Sequence, residues 1–420
     1  MPFVKKHAAL LALAVAVILV LGAAIDVDAS KNGGIFSLKD ISGSRKALDG
    51  VTIRGELSDG YQRTEFKLTD GRLDTHASWN GQPEWLGTSW TMRTGSKTIP
   101  GRFYNVQNEG GAFSLSSHDS DESGSSIGFF KVARVSPPLS FPEGVLYSNP
   151  LNYGVAVIGE RVFYTVPAAA GVKGKGIIYE VNFYDWFGSN GMQSGEFASR
   201  AVVEYSLISE KDSDRGISVL GLEAVGDKLV LLTEEDETLR IRSYDSASGS
   251  LLGDARLPDF RADILPTNKS FYRASYLSDA EEQSNRLLLH FQNLSLTRPL
   301  LLSVNLTDGA EVETAVRMEL GDEQEEDSFQ GFTYARERNG KLYVVKTVRE
   351  INEDLPGFYR LMLPLHAYIY VYEDSRLIYQ GEFVTDLNDD SIELATRPDP
   401  SRGISEDPMR YRAFRNLAID

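Results

Sequence analysis

The chain contains no cysteine in its 420 residues. Disulfide bonds, cysteine-type zinc sites, thiol nucleophiles and lipid attachment through an N-terminal cysteine are therefore all excluded. A secreted eukaryotic domain of this size would often carry disulfides. An exported chain without cysteine is more typical of a bacterial protein, and we expect a bacterial envelope.

Positive charge is also scarce, because 43 lysines and arginines stand against 60 aspartates and glutamates and the formal net charge is −17. Nucleic-acid binding needs a basic surface that displaces counterions, so we expect no nucleic-acid partner. The excess of acidic residues is sufficient to keep an exposed protein soluble, and it weakens any contact between the folded part and an anionic membrane.

Diagnostic catalytic signatures are hard to find. The sequence has neither a phosphate-binding loop nor a G-x-G-x-x-G stretch, and its five histidines show no metal-ligand spacing. His290 continues an apolar run and is expected in the core or at a strand end, whereas His118 stands among carboxylates in an expected solvated loop. The sequence therefore favours a non-enzymatic protein without a cofactor, and the presence of an enzyme activity stays open.

One acidic stretch has part of the spacing of a calcium loop. Asp386, Asn388 and Asp390 stand at alternate positions, and Glu393 follows them. Calcium prefers such hard oxygen ligands on a tight loop. However, Ser391 replaces the glycine expected at the sixth position, and the closing glutamate comes early. The two interpretations are a calcium site formed by these four residues and a plain polar turn, and the sequence favours the turn.

The N-terminal segment contains a long uncharged apolar run, residues 8–25. As a helix it would be roughly 27 Å long, close to the thickness of the hydrocarbon core of a bilayer. Two lysines precede the run and two aspartates follow it, which predicts a cytoplasmic N-terminus and an extracytoplasmic remainder. The run is longer than a usual signal-peptide core and favours a single-pass anchor; the alternative is cleavage before Ser30 and secretion.

The remainder is rich in turn-forming and aromatic residues, as β-proteins are, with 37 glycines, 19 tyrosines and 20 phenylalanines. Residues 225–258 predict three strands separated by two turns. The same order of turn, apolar strand, strand ending in Asp or Asn, turn and third strand begins near four positions. These are Gly159, Gly226, Asn285 and Gly340, about 55 to 67 residues apart.

Continuous apolar strands need cover on both faces, so each sheet needs a neighbouring sheet on either side. We therefore predict an all-β fold, β-propeller-like with about six to seven blades, after the N-terminal transmembrane or signal helix. The alternative is a set of β-meander or sandwich domains. Stretches with weaker patterns predict loop over residues 108–126 and short helices over residues 279–285 and 407–420.

The predicted organisation has four parts: a signal-anchor or signal peptide (1–29), a β-rich region that forms the first blades or a small domain (30–150), propeller-like repeats (151–395) and a C-terminal tail (396–420). The proline-rich stretch 136–150 is the expected boundary between the second and third parts, because it holds four prolines.

The overall plan resembles bacterial envelope propellers with an N-terminal anchor, as an analogy of architecture alone. We expect a membrane-anchored extracytoplasmic binding or scaffold protein, held by residues 8–25. Its partner would be an envelope protein, a peptide or a cell-wall polymer. The alternative function is an extracytoplasmic hydrolase or lyase that acts on polysaccharide with carboxylates in a propeller funnel, where aromatic residues within 179–192 would stack on sugar rings.

Overall fold

The computed structural model describes residues 36–58, 62–79, 98–99, 102–109, 111–120, 126–141, 151–169, 171–185, 199–208, 216–261, 276–281, 284–291, 300–317, 333–349, 365–385 and 413–420. The predicted anchor, residues 8–25, lies outside these ranges. None of the described helices is long and apolar enough to cross a membrane. The described residues are predominantly strand, with short 3-10 helices at Arg45–Leu48 and Leu151–Gly154. The predicted all-β class is confirmed.

The strands that the structure describes follow one another along the chain with few other elements. They are β1 (Phe36–Gly43), β2 (Thr52–Ser58), β3 (Gln62–Thr69), β4 (Arg72–Trp79), β5 (Thr98–Ile99), β6 (Arg102–Glu109), β7 (Ala112–Ser120), β8 (Ser126–Val135), β9 (Leu139–Ser140), β10 (Val155–Ile158), β11 (Arg161–Tyr164), β12 (Lys173–Val181), β13 (Tyr184–Asp185), β14 (Arg200–Ser206), β15 (Ser218–Val225), β16 (Lys228–Glu235), β17 (Thr238–Asp245), β18 (Leu251–Leu257), β19 (Tyr276–Glu281), β20 (Arg286–Phe291), β21 (Leu300–Asn305), β22 (Glu311–Arg317), β23 (Thr333–Arg338), β24 (Lys341–Arg349), β25 (Leu365–Glu373), β26 (Arg376–Thr385) and β27 (Ala413–Ile419).

The chain divides into two compact units, one formed by residues 92–324 and the other by residues 1–91 together with 325–420. In the first unit, the described strands form four sheets. Sheet 1 has the order β13-β8-β7-β6-β5, sheet 2 has β10-β11-β12-β14 with β9 beside β12, sheet 3 has β15-β16-β17-β18 and sheet 4 has β19-β20-β21-β22. Neighbouring strands in each sheet run antiparallel.

The sheets of residues 92–324 stack face to face, and apolar side chains fill each interface. Leu229 and Leu231 of β16 pack in a cluster with residues of sheet 2, whereas Val230 and Leu232 pack in a cluster with residues of sheet 4. A third cluster joins sheets 1 and 2. Because side chains alternate between the faces of a strand, the uninterrupted apolar run 229–232 requires a sheet on both sides. This part of the prediction from the sequence is confirmed.

The four turn positions that marked the repeat are equivalent in the structure. Gly159 and Gly226 lie in the hairpins between the first and second strands of sheets 2 and 3, with φ of 59° and 60°, and Gly340 lies in the hairpin between β23 and β24, with φ of 74°. Asn285 immediately precedes the second strand of sheet 4 and has φ of 52°. Left-handed backbone favours glycine and asparagine, so these residues mark the turns in the sequence.

Repeated hydrogen bonds also link equivalent positions in sheets 3 and 4. The Ser246 N–H donates to the Asp227 carbonyl oxygen (3.2 Å), as the Leu306 N–H donates to that of Asn285 (2.8 Å). The side chain that ends the third strand accepts a hydrogen bond from the turn that follows it. Asp245 Oδ1 accepts from the Ser248 N–H at 2.7 Å, and Asn305 Oδ1 accepts from the Thr307 N–H at 2.8 Å. This polar residue therefore caps the turn.

A basic residue just after the first hairpin links sheet 2 to sheet 3 and sheet 3 to sheet 4. Arg161 of sheet 2 donates to the Ser246 carbonyl oxygen of sheet 3 at 2.8 Å. Lys228 of sheet 3 donates in the same way to the Leu306 carbonyl oxygen of sheet 4. The two contacts occupy equivalent positions, so sheets 2 to 4 are successive copies of one structural unit.

The second compact unit contains both ends of the described chain. Sheet 5 has the order β1-β26-β25-β24-β23, and sheet 6 has β27-β2-β3-β4. Its apolar interface includes Phe66 of β3, which lies 4.9 Å from the Phe383 ring and 6.0 Å from the Phe414 ring between centroids. The N-terminal strands β1 and β2 are thus completed by the C-terminal strands β26 and β27.

Three expectations about local structure are wrong. The expected loop at residues 108–126 contains β7, in which the small polar side chains of a serine-rich stretch hide the inward alternation of Phe113 and Leu115. The described part of residues 407–420 forms β27, and residues 279–281 end β19. In both stretches pairing with a neighbouring strand overrides a helix-like local composition.

Candidate functional site

The candidate site is a row of aromatic rings on β25, here called the ladder: His366, Tyr368, Tyr370 and Tyr372. Its strand has the sequence LHAYIYVYE, in which the alternating Ala367, Ile369 and Val371 are fully buried on the opposite face. Because a strand has a period of two, this alternation places the four rings side by side on one face. Successive ring centroids are 6.2, 6.3 and 6.4 Å apart.

Polar groups flank the ladder at its His366 end. His366 Nδ1 lies 3.0 Å from Glu382 Oε1 of β26. Lys39 Nζ of β1 lies 3.8 Å from the other carboxylate oxygen of Glu382. Tyr368 and Tyr370 are both half-buried. Burial, with a smaller contribution from Tyr368, raises the pKa of Tyr370, so its hydroxyl stays protonated and can donate at neutral pH.

The groups of the ladder suit a ligand that has both polar groups and apolar faces. Tyrosine rings supply apolar surface together with a hydroxyl. Glu382 supplies an acceptor, and Lys39, with a side chain 67% exposed, supplies donors. Binding sites typically pair aromatic surface with a few placed polar groups. No group of three or more histidine and acidic residues is placed to hold a metal ion anywhere in the described ranges.

A second polar cluster is buried where the first strands of sheets 3 and 4 meet. Glu223 of β15 is only 1% exposed. Its carboxylate accepts hydrogen bonds from the Tyr276 hydroxyl at 2.7 Å and the Ser278 hydroxyl at 2.9 Å. Tyr153 packs on Tyr276 with ring centroids 4.9 Å apart. Gly221 leaves the room that the Tyr276 hydroxyl occupies, since a Cβ there would lie 2.0 Å from it.

The hydrogen bonds of Glu223 hold β15 and β19 together. Because Glu223 and Tyr276 are buried, this cluster presents little polar surface to a ligand. Burial and the neighbouring Glu223 carboxylate raise the pKa of Tyr276 well above its usual value. The same causes raise the pKa of Tyr153 to about 12. Both environments disfavour a phenolate in the folded protein.

We expect the stability of the protein to fall as the pH rises through the alkaline range. An unfolded tyrosine loses its proton near pH ~10, whereas folded Tyr153 keeps it to about pH 12. The contribution of Tyr153 to the free energy of unfolding is therefore complete below the pKa of the unfolded state. It is lost as the pH rises from that pKa to the folded one, at no more than about 1.4 kcal/mol per pH unit. Urea unfolding at several alkaline pH values should show a shallower decline for Tyr153→Phe, and parallel curves for the two proteins would contradict this.

The residues singled out from the sequence have different positions in the structure. Asp386, Asn388, Asp390 and Glu393 lie outside the described residues, so the calcium site stays a prediction. His290 is buried at 2% exposure on β20, as expected. His118 lies on β7, where Nε2 is 3.1 Å from the Ser116 hydroxyl.

Two further sequence features bear on an enzyme. Residues 124–128 have G-x-S-x-G spacing, but the central Ser126 is the first residue of β8 and pairs with Ser120. A nucleophile elbow needs a strand-to-helix turn at that serine. In the aromatic stretch 179–192, Tyr179 and Phe183 pack against the apolar cluster between sheets 1 and 2, which fits a packing role.

The ladder could have been found in the sequence from the strict alternation of tyrosine with aliphatic residues in residues 367–372. That alternation predicts a strand with its tyrosine side chains on one face. Glu382 and Lys39 carried no such signal, because they reach the ladder only through the pairing of β1, β25 and β26.

No protein-family model matches this chain. No curated protein sequence is significantly similar to it either. Among solved structures, the chain is similar to prolyl endopeptidases studied for inter-domain dynamics, with 12% identity over 79% of this chain and 50% of that chain and a TM-score of 0.21. It thus spans about half the length of that structure.

Two other solved structures are also similar. The β-propeller domain of the Trilobed protease from Pyrococcus furiosus has 13% identity over 64% of this chain and 83% of that chain, with a TM-score of 0.21. A member of the DUF4221 family from Bacteroides vulgatus has 9% identity over 92% and 98%, with a TM-score of 0.26. At TM-scores this low, these likenesses carry no argument about the fold or the activity of this chain.

Proposed function

We propose that the chain is a membrane-held, extracytoplasmic, non-enzymatic binding protein with a β-propeller-like fold. Successive sheets with equivalent turns and links support the repeat. The shared sheets of the two chain ends support closure, because β27 pairs with β2 and β1 with β26. The apolar run 8–25 supports the membrane anchor.

The observation that carries the binding function is the ladder with its flanking charges. The rings of His366, Tyr368 and Tyr370 are half-buried and evenly spaced, and they offer an extended row of apolar surface that ends at the buried Tyr372. Glu382 and Lys39 add hydrogen-bonding groups at one end. A cell-wall glycan fits this chemistry, because sugar rings have apolar faces for aromatic stacking and hydroxyls for polar contacts.

The test is co-sedimentation of the full-length chain, in detergent, with purified insoluble peptidoglycan as the probe. Tyr370→Ala should weaken binding about tenfold, because one aromatic contact contributes roughly 1.4 kcal/mol. Tyr370→Phe keeps the ring and should bind nearly as the parent does. Tyr179→Ala is the matched control, since Tyr179 is also half-buried but lies on β12 of the other unit.

Equal loss in Tyr179→Ala and Tyr370→Ala, or no binding by the parent chain, would overturn the ladder as the glycan site. Thermal melting of each variant separates lost binding from lost folding. Release of soluble glycan fragments during the incubation would instead favour the hydrolase or lyase.

A further inference from the structure

Exposed apolar side chains lie along the outer edge of sheet 5. Among the residues that the structure describes, six large hydrophobic side chains are exposed, and three of them lie on β1 and β26. They are Ile41, Leu377 and Val384, at 45%, 44% and 40% exposure, here called the rim. Val384 pairs with Ser37 near one end of β26, and Leu377 lies at the other end, so the rim follows the whole edge.

The rim is also the part of the described fold that the N-terminal segment reaches first. Only residues 26–35 separate the apolar run 8–25 from β1. Ten residues span at most about 35 Å even when fully extended. The edge formed by β1 therefore stays within that distance of any bilayer that holds the run.

Side-chain hydrogen bonds attach β1 firmly to sheet 5. Asp40 accepts hydrogen bonds from Arg45 Nε at 2.9 Å and from the Tyr379 hydroxyl of β26 at 2.7 Å. These bonds lower the pKa of Asp40, so its carboxylate is charged at neutral pH. Arg45 also donates to the Leu38 carbonyl oxygen at 2.6 Å. β1 is therefore held in place at this edge of sheet 5.

We propose that the rim rests on the surface of the bilayer that carries the anchor. This inference rests on the anchor in the proposed function. Exposed aliphatic side chains on a surface-seated protein enter the boundary between headgroups and acyl chains. Arg376, exposed on β26, has a long stem that lets its charge stay at headgroup level. The partner is a neutral lipid surface, because the net charge of −17 opposes an anionic one.

The absence of cysteine allows a direct test. Single-cysteine variants Leu377→Cys and Val384→Cys of the full-length chain are labelled with a fluorophore and reconstituted in phosphatidylcholine vesicles. Leu251→Cys and Leu252→Cys on β18 are matched controls, because these leucines are 55% and 43% exposed. A nitroxide lipid quencher placed at headgroup depth should quench the rim labels several-fold more than the control labels.

Flotation of the vesicles separates this inference from the anchor. If the chain floats with the vesicles and all four labels are quenched equally, the rim proposal is overturned while the anchor stands. If the chain does not float, the anchor fails and the rim proposal fails with it. Neither outcome depends on glycan binding, which is measured in detergent.

Discussion

Replacing Leu417 with aspartate is expected to destabilise strongly the unit that holds both ends of the chain. Leu417 lies on β27 and is 1% exposed. Its Cδ2 packs over Gly55 of β2. A Cβ atom added to Gly55 would lie only 2.6 Å from this Cδ2. The substitution would remove the apolar contact of Leu417 with Gly55 and would bury a carboxylate in its place. Buried charges of this kind cost about 4 kcal/mol or more.

The physical reason for so large an effect is that β27 is the strand that completes sheet 6. It pairs along β2 from Ile53 opposite Ile419 to Ser58 opposite Ala413. Phe414 packs against Phe36 and Phe66 with ring centroids 6.4 and 6.0 Å away, so β27 also supports the interface with sheet 5. Loss of β27 leaves β2 with an unpaired edge and uncovers these rings.

Thermal unfolding followed by circular dichroism measures the effect, with a midpoint about 10 °C lower expected for Leu417→Asp. Asn416→Asp is the matched control. It introduces the same charge one residue earlier, at an exposed bulge position with φ of 50°. Its effect should stay within about 0.5 kcal/mol. Equal midpoints for the two variants would show that β27 is not needed for the fold.

Glu223→Ala is expected to destabilise the unit formed by residues 92–324 by about 3 kcal/mol or more. The substitution leaves the buried hydroxyl of Tyr276 and the Ser278 hydroxyl without the carboxylate that they bind. An unsatisfied buried polar group costs about 1–3 kcal/mol, and the vacated volume adds to this. Urea unfolding of the full-length chain measures the loss.

A double-mutant cycle attributes the loss to the hydrogen bond itself. Glu223→Ala combined with Tyr276→Phe should cost less than the sum of the single changes, with a coupling of about 1–3 kcal/mol. The control is Glu204→Ala on β14, an exposed glutamate paired with exposed Lys175 at 3.0 Å, which should cost less than about 1 kcal/mol. Strict additivity of Glu223→Ala and Tyr276→Phe would contradict an energetically important bond.

The hairpins were predictable because their signals are local. Asp70–Gly71 joins β3 to β4 with φ of 49° and 72°, as an Asp-Gly hairpin signal indicates. Residues 228–257 form the three predicted strands with the two predicted turns. The serine-rich β7 is not predictable in the same way, because Phe113 and Leu115 are its only large apolar residues and their alternation is too short to indicate a strand.

The ladder was only half predictable. Alternation in LHAYIYVYE determines which side chains share a face, since that depends on the period of the strand alone. The partners Glu382 and Lys39 depend on strand register, which is set by packing and by turns elsewhere. The Glu223 cluster had no sequence signal at all, because Tyr153 and Tyr276 are far from Glu223 along the chain.

The sequence by itself determined the all-β class, the repeated turns and the runs of residues that needed cover on both faces, because turn geometry and alternation are properties of neighbouring residues. Only the tertiary structure decided that β1 lies beside β26 and β27 beside β2. Those pairings join the two ends of the chain, and a strand's own residues specify that it will pair, but not with which distant strand.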